Sequence, residues 1–177
     1  MVVKSDVVLI GAKEARNYFN AMAKGLLNFR KPFDLIIIRM HKSWADSFKS
    51  GRRGNTKWAP NTEVTKIIKR GSNPLLGITG ALRLSLTRVS SGSVLKKSKY
   101  KLELGTTIPY ANIQNEGKEI TVTDKMRRFI AGKYGIVLGD SIKIPARPFM
   151  FFTKKDIKQI ERIFKLWIEK GARTGVW

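Results

Sequence analysis

From Ala12 to Phe29 the apolar residues Ala15, Tyr18, Phe19, Met22, Leu26 and Phe29 recur at intervals of three and four, with Lys13, Arg16, Asn20 and Lys24 among them. That is the spacing of one helical face, and it predicts an amphipathic helix. Pro32 suits the first turn of a second helix, where its missing N–H would have no partner in any case. Along that helix Phe33, Ile36, Ile37, Met40, Trp44 and Phe48 repeat the same spacing until Gly51 stops it. The two helices, about residues 12–50, are expected to form an antiparallel pair with the aromatic stripe in the core. After the loop Gly51–Asn61, Thr62 to Lys69 has room for two helical turns, and Thr79 is a fit cap for a turn beginning at Gly80.

Beyond Gly80 the period changes to two. Leu84 and Leu86 alternate with Ser85 and Thr87, and Tyr100, Leu102 and Leu104 alternate with Lys99, Lys101 and Glu103, which predicts a hairpin around the turn-rich Ser90–Ser93. Ile120–Thr123 and Ser141–Ile144 read as two further short strands, with a helix over Asp124–Lys133 between them. At the end, Thr153 is a good N-cap with Asp156 three residues on. Ile157, Ile160, Phe164, Trp167 and Ile168 then form one apolar stripe that Gly171 closes. The pattern specifies an α+β fold: an N-terminal helical pair, a small and mostly antiparallel sheet, and a long C-terminal amphipathic helix. Residues 1–171 are expected to form a single domain, and 172–177 an exposed arm whose Trp177 is free to dock on a neighbour.

Composition narrows the chemistry. In a chain of 177 residues, 42% hydrophobic, a single core holds without disulfides or metal. There is no cysteine and one histidine, His41, which removes thiolate nucleophiles, sulfur zinc sites and any multi-histidine centre. Apolar runs such as Leu35–Ile38 are far short of a membrane span, and Met1–Ile10 lacks a secretory h-region, so a cytoplasm-like compartment is expected. No acidic neighbour in sequence orients His41 as a base. Glu116 and Glu119 flank Gly117 without a nucleophile elbow, and the glycine pairs Gly51/Gly54 and Gly77/Gly80 lack a phosphate-loop pattern. No catalytic, metal-binding or cofactor-binding residue is assigned, and the protein is read as non-enzymatic.

Charge adds one positive statement. With 35 Lys and Arg against 13 Asp and Glu, the net charge is +22, and residues 41–101 alone hold fourteen basic and two acidic residues. Arg52, Arg53, Lys57, Lys66, Lys69, Arg70, Lys96, Lys97 and Lys99 sit in or beside segments rich in glycine, serine and asparagine, which favour exposed loops. They are either solvated positive loops or a surface for a polyanion, whose binding would weaken steeply with salt. No RNP or recognition-helix pattern accompanies them, so base-specific readout is not expected.

Three segments in order, Leu76-Gly-Ile-Thr-Gly-Ala-Leu-Arg-Leu-Ser-Leu86, Leu104-Gly-Thr-Thr-Ile-Pro-Tyr-Ala-Asn-Ile-Gln-Asn-Glu-Gly117 and Ile144-Pro-Ala-Arg-Pro-Phe149, preceded by Trp58-Ala-Pro60, carry a resemblance. The series resembles the phage virion morphogenesis, or tail completion, family of tailed bacteriophages over about residues 58–160. Ile120-Thr-Val-Thr-Asp-Lys-Met-Arg-Arg-Phe129 is similar to one branch of it. The chain departs from the family pattern at Gln114, where a histidine is common, and at Ile130 and Ala131, where that branch is more aromatic. The resemblance implies a structural virion protein of the neck, joining head to tail and assembled in the host cytoplasm. Its partners would be itself, as a ring of six copies, the neighbouring neck, connector and tail proteins, and non-specific DNA in the channel; no membrane is involved. A free, non-sequence-specific nucleic-acid-binding protein is the alternative.

Within the motifs, Tyr110-Ala111 is placed to begin a turn against the sheet, and Gly117 to close it with positive φ. Pro145 and Pro148 hold Ala146–Phe149 extended. Tyr110, Arg147, Phe149 and Trp177 are therefore candidate interface residues. For two of them a second reading stands, in which Arg147 pairs with a local acid and Phe149 fills the monomer core.

Overall fold

The computed structural model describes residues 12–26, 28–69, 74–75 and 79–174. In chain order these form α1 (Ala12–Leu26), α2 (Arg30–Ser50), β1 (Arg52–Arg53), β2 (Thr56–Lys57), α3 (Glu63–Lys69), α4 (Ala81–Thr87), β3 (Ser93–Lys97), β4 (Leu102–Thr106), α5 (Ala111–Glu116), β5 (Lys118–Thr121), α6 (Asp124–Tyr134), β6 (Ser141–Ile144) and α7 (Lys154–Thr174). The fold is α+β. Among the described residues no helix is long and apolar enough to cross a membrane.

α2 is the organising element. Its stripe of Phe33, Ile36, Met40, Trp44 and Phe48 is buried at the predicted spacing, Pro32 is buried in its first turn, and Gly51 ends it in the left-handed region at φ 65°. Leu82 and Leu86 of α4, together with Trp58, Leu75, Ala111 and Phe149, complete the core around that stripe. Ile160, Ile163 and Phe164 of α7 and Leu102 and Leu104 of β4 pack at its edge. The expected antiparallel pairing of α1 with α2 gives way to a shared neighbour: α1 lies on α7, and α2 packs on α4 and α7. α1 and α7 are both amphipathic and lie side by side, but Tyr18 and Phe19 of the α1 stripe stay exposed.

The predicted hairpin is displaced by one element. Leu84–Thr87 is helix, because Leu82, Ser85 and Leu86 bury one face at spacings of three and four, and a four-residue alternation does not distinguish that from a strand. Ser90–Ser93 links α4 to the hairpin, in which β3 pairs with β4 in antiparallel register, Leu95 opposite Leu104. Its turn is Ser98–Lys101, closed by Ser98 N–H to the Lys101 carbonyl at 2.8 Å. The single small sheet resolves into three two-stranded antiparallel sheets, β1–β2, β3–β4 and β5–β6.

The end of the chain follows its caps. Thr153 Oγ1 accepts the Asp156 N–H at 3.1 Å while Asp156 Oδ2 accepts the Thr153 N–H at 2.8 Å, a reciprocal capping box at the head of α7. Gly171 does not stop this helix. It is buried within it, and α7 runs on to Thr174, so at least residues 172–174 are helix rather than arm. A glycine in a helix interior costs only about 1 kcal/mol relative to alanine, so it does not by itself end a helix. β5, α6 and β6 form a satellite whose buried apolar residues are Val122 and Leu138; α6 itself buries none.

Candidate functional site

The motif segments converge in space. Arg147 and Phe149, candidates for an interface, are buried at 5% and 0% exposure. Among the described residues Arg147 pairs with no acid. Its Nε donates to the Ala59 carbonyl at 2.8 Å, Nη2 to the Pro60 carbonyl at 3.0 Å, and Nη1 to Gln114 Oε1 at 3.0 Å. Its backbone N–H donates to the Gln114 carbonyl at 2.9 Å. Burial pushes the guanidinium down from its ordinary value, and five-fold donor capacity makes arginine the residue able to tie carbonyls from separate segments. Phe149 fills the monomer core against Phe48, with ring centroids 6.2 Å apart, and its N–H donates to Asn115 Oδ1 at 3.0 Å. Trp58 Nε1 donates to the Pro148 carbonyl at 2.8 Å. Gly117, at φ 79°, packs so closely that a Cβ there would lie 2.7 Å from the Ala146 nitrogen.

Of the other interface candidates, Tyr110 is 41% exposed immediately ahead of α5, and Trp177 lies outside the described residues. His41 is half buried beside Ser85 and Leu95, and burial pushes its imidazole down. Glu116 accepts from Asn112 Nδ2 at 3.2 Å and Glu119 from Ser141 Oγ at 2.5 Å, so both carboxylates hold local structure.

The basic segments do not make one patch. β1 and β2 leave the C-terminal end of α2, whereas the β3–β4 turn sits at its N-terminal end, where the Phe29 N–H donates to the Lys99 carbonyl at 2.7 Å and Lys97 pairs with Asp34. The 21 residues of α2 put about 30 Å between them. Arg52 and Lys57 are exposed and opposite one another on β1–β2, and Lys96 and Lys99 are exposed near the other turn. Lys66 and Lys69 are half buried on α3, where burial and the charge of Arg147 lower the Lys69 ammonium. Arg70 lies outside the described residues.

Arg53, expected to face a polyanion, is the most enclosed cation among the described residues, at 0% exposure. Strand alternation explains this: Arg52 faces out, so Arg53 faces in. Its Nη2 donates to Asp156 Oδ2 at 2.8 Å and to the Phe151 carbonyl at 2.9 Å, and Nη1 to Ser43 Oγ at 2.8 Å and Ser47 Oγ at 3.2 Å. Its guanidinium carbon also lies 5.8 Å from the ring centroids of Trp44 and Phe151. For Asp156, burial opposes ionisation, but hydrogen bonds from Ser43 and Thr153 and the charge of Arg53 prevail and hold the carboxyl below its usual range.

This buried pair is the floor of a cleft of about 1060 Å³ between α2, β1–β2 and the head of α7. Its rim carries exposed Arg39 and Lys42 from α2, Arg52 from β1, and Lys154 and Lys155 from α7, with Asp46 the one carboxylate besides Asp156. Phe151 and Phe152 are exposed on one wall. Apart from Arg52, sequence reasoning missed these rim residues. The signals were there in Lys154-Lys155 following the Thr153 cap, and in Arg39 and Lys42 three apart and off the apolar stripe. Among the described residues no cluster of side chains suits a metal ion. No protein-family profile, curated protein or solved structure matches the chain.

Proposed function

We propose that this chain is a structural virion protein of a tailed bacteriophage, a neck or tail-completion subunit that joins head to tail without catalysing a reaction. The observation that carries the reading is the convergence of the resembling segments: Trp58–Pro60, Gln114–Gly117 and Ile144–Phe149 tie one another together through the Arg147 guanidinium and the glycine approach at Ala146. Those residues build a scaffold, and Gln114 serves in it as a hydrogen-bond acceptor, a role that needs no imidazole chemistry. Self-assembly as a ring, six copies by resemblance, requires surfaces that remain uncovered in the single chain. Phe129 and Val137 on the β5–α6–β6 satellite and Ile38 on α2 are such surfaces.

Mass measurement and electron microscopy of the purified chain test this, with closed rings expected. Particles made without the chain should fill heads that do not join tails. A chain that stays monomeric at high concentration, together with normal joining in its absence, would overturn the reading. The cationic cleft favours a second reading, a free nucleic-acid-binding protein; tight binding at physiological salt by a chain that never forms rings would establish it.

A further inference from the structure

We propose that the cleft between α2, β1–β2 and α7 binds a single strand of nucleic acid, its phosphates on the cationic rim and unpaired bases against Phe151 and Phe152. The inference goes beyond the neck reading and stands on the cleft alone. Six cationic side chains and two carboxylates line the cleft. One cation and one carboxylate, Arg53 and Asp156, are spent on each other, so the outward-facing charge belongs to Arg39, Lys42, Arg52, Lys154 and Lys155, opposed by Asp46. These arise from three elements whose relative positions the buried pair fixes, so the cations are gathered without folding around a ligand. The guanidinium forks of Arg39 and Arg52 suit phosphate oxygens, and the lysines act as point charges.

The volume of about 1060 Å³ is at the upper end of sites that enclose a small molecule. Its charged rim, however, fits a strand passing through better than an apolar ligand. Two exposed phenyl rings beside the cations distinguish the occupant. Stacking on bases gives such rings a use, whereas an acidic peptide would leave them idle. Ser43, Ser47 and Thr153 in the floor are committed to Arg53 and Asp156, so the strand is held by its phosphates and by stacking.

The test is fluorescence anisotropy of the full chain with a strand of roughly 16 nucleotides, single and as a duplex, across a salt series. The variants are K154A/K155A, F152A, and K96A/K99A, which removes equal charge from the far end of α2; all five side chains are exposed, and thermal melts check folding. K154A/K155A should weaken single-strand binding about tenfold and flatten the slope of log affinity against log salt by about 1.4. F152A should weaken the single strand about tenfold and the duplex less than about twofold. K96A/K99A should change either by less than about threefold. The site is overturned if K96A/K99A loses as much as K154A/K155A, if F152A is silent on single strands, or if polyglutamate displaces the strand as well as unlabelled DNA does. Ring assembly of the same samples separates the two readings: rings with unaltered variant binding sink the cleft alone, and cleft binding without rings sinks the neck role alone.

Discussion

Arg53 and Asp156 show how far a residue's charge can mislead about its place. Each satisfies the other inside a web of Ser43, Ser47, Thr153 and the Phe151 carbonyl, and removing one leaves the other charged, buried and unpaired. D156N should therefore cost about 3–5 kcal/mol, roughly 10 °C in the thermal midpoint. The pH dependence has a definite sign. The folded-state carboxyl titrates below its unfolded value of about 4, so its contribution is complete above that pH and is lost as the pH falls through the folded value. Unfolding of the native chain should accordingly steepen below about pH 4, and D156N should flatten that acid limb. Gly117 makes a second residue-scale case: G117A would combine positive φ with a 2.7 Å approach to the Ala146 nitrogen. A loss of about 2 kcal/mol or more by chemical denaturation is expected, and a stability unchanged from the native chain would refute the close approach.

At the scale of elements, α7 depends on its first turn. T153A removes the hydroxyl half of the capping box and should cost about 1 kcal/mol, with the loss seen in helix content as well as in the midpoint. The spans of α2 and α7 were legible from their apolar spacing, and the start of α7 from its Thr153 cap, whereas the stop read at Gly171 was not one; β5, α6 and β6 were legible as elements, with β5 read two residues late. The α4 segment was not, because seven residues carrying leucines at 82, 84 and 86 satisfy both periods, and only the packing of Leu82 and Leu86 on α2 decides. The site was legible in composition and not in location. Loop chemistry around Arg52 and Arg53 marks exposure for both, while the buried Asp156 that claims Arg53 is 103 residues away.

Across the whole molecule, the basic loops at the two ends of α2 are held apart by its length, and one of them contributes to the rim of the cleft. The satellite adds an uncovered apolar face, with Val137 86% exposed. Replacing Phe129 and Val137 by serine should leave the thermal midpoint within about 2 °C, since neither side chain is buried in the single chain, while reducing ring formation in the same preparation. A drop in stability as large as that of D156N would place these residues in the core instead. The link from Arg53 to Asp156 also sets a clock on synthesis. At about 5–20 residues per second, the 103 residues between them take roughly 5–20 s to be made, and for that interval the guanidinium beside α2 is without its carboxylate.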